Sequence, residues 1–430
     1  MKTRLILSFV ATCFVSAHAM LQTPKAAVPS SSIPLCPGLA IVTAVSQTDG
    51  DYESIKTIES VGPSEVRLKY SSEVRSTGWF DSGPPLKKTT LHRTVLTSDL
   101  ESAKSYQQTF LEKSAETIPG TTAIGTSATI LRALKTKGEA ELSISNTYGG
   151  LELTADRNTR PNYYNYLQVA TIKRVGAGPT RVPVLVNDQL VELPAIQAQG
   201  ESFGDKVEFF FLDDERNPLT LAFRIGIGGI KPLIPEELAL CDAVRKSGAS
   251  MADLPFGRRC ERPAGGDRDT LRVIKITSYC VAPPATSGSA GTGGGQPSNG
   301  AANAAGGASA LERALAEKGT VDVYSIYFSF NSDAIREESE PTLREIAEVL
   351  RRHPDWKLGV NGHTDSIGND PYNLDLSKRR GAAVKNSLVA RYAIAAARLT
   401  TSGFGRAQPK DTNDTLEGRA RNRRVELVRQ

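Results

Sequence analysis

Apolar residues recur along this chain in two different rhythms. From residue 39 to about residue 280 they come in short runs, rich in β-branched and aromatic side chains and bounded by Gly, Pro, Asn or Asp, the pattern of strands. The runs predict strands at Leu39–Val45, Glu65–Ser72, Glu139–Ser145, Tyr166–Val175, Gln189–Leu193, Val207–Leu212, Leu219–Ile225 and Leu271–Cys280. Val207–Leu212 is nearly continuous in apolar residues, which predicts burial on both faces. Helical stretches are predicted at Asp99–Ala115, near Ala128–Leu134, and at Glu236–Lys246 behind Pro235, a favourable first-turn residue. No repeat of fixed period is present.

The second rhythm begins near residue 321. Val323–Phe328 reads as a strand, closed by the turn residues Phe330-Asn331-Ser332-Asp333. A helix capped by Ser339 follows, with Leu343, Ile346, Ala347 and Leu350 on one face, ending at His353-Pro354-Asp355. Lys357–Asn361 is a second strand and runs into Gly362-His363-Thr364-Asp365. A second helix, capped by Ser377, reaches about Tyr392, and Arg424–Val428 supplies the last strand. The order β-α-β-α-β defines a small α+β domain with its helices on one face of a small mixed sheet. Leu376, Arg380, Val384 and Leu388 form the inward stripe of the second helix. Arg380 is the odd member, because a guanidinium among apolar residues needs a carboxylate or a ligand.

Between the two lies 283–309, rich in Gly, Ala and Ser, with no charge and no large apolar side chain. It cannot bury enough surface to fold and reads as a flexible linker with a coil span of roughly 30 Å and a taut limit near ~90 Å. The chain is therefore multi-domain: a β-rich region at 36–282, the linker, and an α+β domain at 310–430. Residues 1–19 have a basic head, an apolar run and Ala17-His18-Ala19 before a cut, the pattern of an export signal. Four cysteines follow it, Cys36, Cys241, Cys260 and Cys280, enough for two disulfides in an exported chain. Of the three connectivities, Cys241–Cys260 with Cys36–Cys280 is favoured. No Cys-x-x-Cys is present, so no zinc site is expected.

Charge and motifs narrow the chemistry. A net charge of +5, from 52 Lys+Arg against 47 Asp+Glu, is too mild to argue for nucleic acid. Aromatic residues at 6% weigh against a large membrane β-barrel. Gly125-Thr126-Ser127-Ala128 lacks the last glycine of a nucleophile elbow, because Thr129 stands there, and reads as an N-capped turn into a helix. Gly226-Ile227-Gly228-Gly229 lacks the spacing of a phosphate loop and reads as a turn after a strand. His92, His353 and His363 are unpaired in sequence, so no helical metal site, no catalytic residue and no cofactor is expected.

The C-terminal segment, about 321–430, resembles the OmpA-like peptidoglycan-binding family. The resemblance rests on Ile326-Tyr327-Phe328 with Asn331-Ser332, Gly362-His363-Thr364-Asp365, and Asn373 with Leu376-Ser377 and Arg380. It extends to Gly403-Phe404-Gly405, Gly418-Arg419-Ala420 and Asn422-Arg423-Arg424-Val425-Glu426. It implies binding to the diaminopimelate of the peptide stem. Asp365 would accept the ligand ammonium and Arg380 would grip its carboxylate. Asn373 and Thr364 would add hydrogen bonds, with Asn331 and Ser332 as the opposite wall and Arg423 as a weaker candidate. The charges suit a zwitterion, and a guanidinium can hold a carboxylate through two parallel bonds. The alternative is that Asp365 and Arg380 pair with each other. Two residues depart from the family: Ser329, where Asp is frequent, and Gly381, where Ala is usual.

The reading is a non-enzymatic envelope protein, periplasmic and cell-wall associated, with peptidoglycan as partner. The partner of the β-rich domain, in the periplasm or the outer membrane, is left open. One rival makes the first domain an outer-membrane β-barrel, as in some relatives of the family. Another places an enzyme in 36–282, which no constellation of residues supports.

Overall fold

The computed structural model describes residues 33–47, 50–75, 86–108, 116–145, 167–202, 204–230, 232–247, 260, 264–278 and 309–430. The export signal and nearly all of the linker lie outside the described residues, as does Cys280.

Among the described residues, the N-terminal region contributes fourteen strands to one sheet system. Four long strands lead: β1 (Ala40–Gln47), β2 (Gly50–Val61), β3 (Glu65–Arg75) and β4 (Leu86–Leu96). After helix α1 (Thr97–Ser102) come three two-residue strands, β5 (Ser105–Tyr106), β6 (Glu116–Thr117) and β7 (Thr121–Thr122). Helix α2 (Ala128–Thr136) precedes β8 (Glu139–Ser145) and β9 (Leu167–Arg174). The remainder is β10 (Thr180–Val186), β11 (Gln189–Ser202), β12 (Asp205–Leu212), β13 (Thr220–Ile225), helix α3 (Pro235–Ser247) and β14 (Asp269–Thr277).

Strands β10 to β14 pair in sequence, and β10 pairs in parallel with β14, so five strands close a ring. Strands β1 to β4 extend from β14 as one antiparallel wing. Alternation along β10 and β11 buries Val182, Val184, Leu193 and Ala195 in one cluster. Phe209 and Phe211 of β12 face a second cluster, stacked with each other, and Phe209 stacks with Phe223, whereas Phe210 packs on the first. The run Val207–Leu212 is thus packed from both sides, as its sequence predicts. Cys241 of α3 is bonded to Cys260 across 5.8 Å between Cα atoms. Cys36 is also disulfide-bonded.

The helix expected over 99–115 is cut short. α1 ends at Ser102, and Ser105-Tyr106 is drawn into strand pairing with β7 and β8. Burying Tyr106 beside Leu131 and Leu134 outweighs a weak helical period. Strands β2, β4 and β10 were not expected. The first two carry charged residues on buried positions, Lys56 and Arg93. The third carries Pro183, tolerated because β14 pairs only with its last two residues.

In the C-terminal domain, helix α4 (Ala310–Lys318) leads into β15 (Thr320–Val323). Then come α5 (Glu340–Arg352), β16 (Leu358–Gly362), α6 (Asp370–Tyr392), β17 (Leu399–Gly403), α7 (Leu416–Asn422) and β18 (Val425–Arg429). The sheet order is β15-β18-β16-β17, antiparallel except for the parallel pair β16/β17. Leu343, Ile346 and Leu350 of α5 meet Val384 and Leu388 of α6 over the sheet.

Three local expectations are corrected. The first strand ends at Val323, because Tyr327 leaves the sheet and is held by Ser339, which accepts from its N–H at 2.8 Å and donates to its carbonyl at 3.1 Å. Ser339 therefore anchors this segment and makes no side-chain cap. Helix α6 begins seven residues before Ser377. Asn369 caps it by accepting from Tyr372 N–H at 2.9 Å, and Pro371 stands in its first turn. The stripe Leu376, Arg380, Val384 and Leu388 is buried throughout. Helix α4 and strand β17 were not anticipated.

Candidate functional site

Arg380 reaches the site because α6 lies close on the sheet. A Cβ at Gly381 would sit 2.9 Å from the Val360 carbonyl and 3.1 Å from that of Ser402. Glycine at this position, a departure from the family, is what the close approach requires. Arg380 is 9% exposed. Its Nε donates to the Ser332 carbonyl at 3.0 Å, and its guanidinium lies 4.8 Å from the centre of the Phe328 ring. Among the described residues it forms no ion pair. Burial, then repulsion from Arg423, lowers its pKa to about 10, opposed by Asp365.

Asp365 follows β16 and is also buried. Its Oδ1 accepts from Ile367 N–H at 3.0 Å, turning the loop, and its Oδ2 accepts from Arg423 Nη1 at 2.5 Å. Asp365 thus pairs with Arg423 and not with Arg380. The second arm of the Arg423 guanidinium bonds to Glu53, on β2 of the N-terminal domain. Burial alone would lift the Glu53 carboxyl, but Arg423 and Lys275 hold it down at about 2. Burial would lower Arg423, but Glu53 and Asp365 outweigh it and raise its pKa.

The remaining expected residues surround this pair. Asn373 is buried and donates to the Ile367 carbonyl at 3.0 Å. Thr364 donates its N–H to the Gly405 carbonyl at 2.9 Å. Its buried hydroxyl makes no hydrogen bond among the described residues. Asn331 has φ 55° in the 330–332 turn, and its Oδ1 accepts from the Tyr372 hydroxyl at 2.5 Å. Ser332 accepts from Ala334 N–H at 3.0 Å and contributes the carbonyl that holds Arg380. His363 is fully buried and stacked 5.2 Å from Phe404. Burial and then Arg424 lower its pKa to about 4, against Glu426.

Arg380, Arg423 and His363 line a cavity of about 50 Å³ together with Phe328 and Arg336 of the same domain and with Glu53 and Lys275 of the N-terminal domain; Asp365, Thr364, Asn373, Asn331 and Ser332 are not part of its lining. Glu53 and Lys275, both from the N-terminal domain, were not foreseen as part of the site. Among the described residues no cluster of three or more His, Cys, Asp or Glu is placed to hold a metal ion.

Comparisons with known proteins match the C-terminal domain. Residues 327–423 match the OmpA family model, so the chain carries an OmpA-family domain there. Outer membrane porin F of Pseudomonas aeruginosa is 40% identical over 101 residues, 24% of this chain and 29% of that protein. Peptidoglycan-binding protein ArfA of Mycobacterium bovis is 42% identical over 86 residues, 20% of this chain and 26% of that protein. The chain therefore spans under a third of the length of these curated relatives. The solved peptidoglycan-associated lipoprotein of Burkholderia pseudomallei is 30% identical, matching 24% of this chain and 88% of that structure with a TM-score of 0.23.

Proposed function

We propose that this chain is a non-enzymatic cell-envelope protein that binds peptidoglycan through its C-terminal domain, tethering its β-rich domain to the wall. The ligand is the zwitterionic end of diaminopimelate in the peptide stem. Arg380 takes the carboxylate and Asp365 the ammonium, with Thr364, Asn373 and the 330–332 turn shaping the walls. The observation that carries this reading is Arg380: a buried guanidinium met by one carbonyl and one aromatic face, without a carboxylate among the described residues. Such a charge is costly to leave uncompensated, and a ligand carboxylate can accept two parallel bonds from it. The names of the relatives, among them a porin and a peptidoglycan-binding protein, agree with an envelope location.

The test is a sacculus pull-down with the full chain. Arg380→Ala and Asp365→Ala are each expected to lose binding; full retention by both variants would sink the assigned site. Against the outer-membrane barrel as a rival, the closed ring has five strands and is filled by its own side chains, whereas membrane barrels have eight or more. Release from cells by lysozyme without detergent is the expected behaviour.

A further inference from the structure

The N-terminal domain covers the site just described. Glu53 bonds the Arg423 guanidinium that also holds Asp365. Glu73, at the end of β3, accepts from Ser329 Oγ at 2.9 Å and from Phe330 N–H at 2.7 Å. The next two residues of that loop are Asn331 and Ser332, which form the wall beside Arg380. Lys69, Ser71 and Arg272 reach Glu337, Glu338 and Glu417 across the same interface. The Thr277 and Tyr327 hydroxyls meet at 3.0 Å.

From this geometry, and resting on the peptide-stem reading above, we infer that the docked arrangement is a closed state: Glu53, held by Arg423, covers the cavity that Arg380 lines, and peptidoglycan binding requires the two domains to separate. The small cavity of about 50 Å³ left between Arg380, Arg423 and Glu53 is the first argument. It has room for roughly three to five waters, against ligand pockets that start near ~300 Å³. The second is the character of the interface. Among the described residues, the shared apolar cluster receives Tyr327, Ala420 and the half-buried Leu416 from the C-terminal domain. Beside it stand the ion pairs and hydrogen bonds named above, and polar intrachain interfaces of that kind are those that part. The third is Ser329. Aspartate at that position, frequent in the family, would set a carboxylate against Glu73, whereas the serine hydroxyl donates to it.

The full chain is compared with Glu53→Gln/Glu73→Gln. Both substitutions lie on the N-terminal domain, outside the groups assigned to the ligand. Domain separation is read by small-angle scattering, and affinity by titration with a soluble diaminopimelate-containing muropeptide. Separation reduces the penalty of a mostly closed population, so the double variant is expected to expand and to bind about tenfold tighter or more. Ser329→Asp, placed on the opposite face, is expected to expand the chain as well. Expansion with affinity unchanged from a binding parent overturns the closed-state inference alone. Two variants that stay compact and bind like the parent overturn it too. Expansion with no binding by any of the chains overturns the peptide-stem reading, and the closure falls with it.

Discussion

Two guanidiniums flank the same cavity in opposite circumstances. Arg423 is bracketed by carboxylates from two domains, Asp365 behind it and Glu53 in front. Arg380, deeper in the α+β core, is met by a carbonyl and an aromatic face. Attraction from Glu53 and Asp365 raises the pKa of Arg423, whereas burial lowers that of Arg380 to about 10. A charge whose partners are already present belongs to the architecture. A buried charge held without a counterion is costly, which is the ground for the ligand role proposed for Arg380. On the proposed reading, Arg423 holds the docked state and Arg380 is reserved for the ligand.

Arg423→Met is the largest way to break that comparison. It leaves Asp365 and Glu53 without the cation between them, with Lys275 the largest remaining attraction for Glu53. Removing one partner of a buried ion pair costs about 3–5 kcal/mol. The side chains here are partly exposed, so about 2–4 kcal/mol is expected, measured by urea unfolding of the full chain. A loss under ~1 kcal/mol would remove Arg423 from its architectural role.

A smaller effect comes from a carboxylate at the same interface that has no guanidinium. Asp188 accepts from Tyr324 N–H at 3.0 Å and from Ser325 Oγ at 2.8 Å. Burial raises its pKa from 3.8 to about 6, with Glu345 adding to the rise and the two hydrogen bonds and Lys275 opposing it. Since the folded value lies above the unfolded one, its contribution is full below pH 3.8 and is lost as pH rises through about 6. Glu53 runs the other way: its contribution is present above 4.5 and lost as pH falls through about 2. His363, lowered to about 4, also favours higher pH, but it is common to parent and variant and cancels between them. Melting temperatures from pH 4.5 to 7.5 should therefore show the parent losing about 1–3 kcal/mol relative to Asp188→Asn. Parallel curves would mean that Asp188 is not desolvated by docking.

Arg380 was legible in the sequence because it interrupts an apolar stripe, a contrast that needs only four residues of one helix. Asp365 was legible through the resemblance, on Gly362-His363-Thr364-Asp365. Glu53 was not legible. It lies on a strand whose residues Tyr52-Glu53-Ser54-Ile55-Lys56 show no clean alternation, because one part of the strand faces a polar interdomain surface. Its partner is 370 residues away. The same reason hid β4, where Arg93 is buried and donates to the Gln107 carbonyl at 2.7 Å. Periodicity reports burial against an apolar core, and it fails where a strand is buried against charge. Ser329 and Gly381 were visible as departures, but their reasons, Glu73 and the backbones of β16 and β17, appear only in the fold.

Arg380→Met gives the smallest expected change in stability and sharpens the comparison most. If Arg380 has no structural counterion, removing its charge strands no carboxylate. The Met side chain can cover Phe328, and what is lost is the bond to the Ser332 carbonyl and the charge over the ring. Replacing a buried charge by an apolar side chain of similar length is often neutral or stabilising. Unfolding free energy should change by no more than about 1 kcal/mol in either direction, while muropeptide binding disappears. The same experiment on Arg423→Met should show the reverse order, a large loss of stability with domain separation. If Arg380→Met destabilised the chain as much as Arg423→Met, the two guanidiniums would share one structural role and the free one would not be reserved for a ligand. The pair of variants therefore separates a charge that holds the protein closed from one that awaits its counterion.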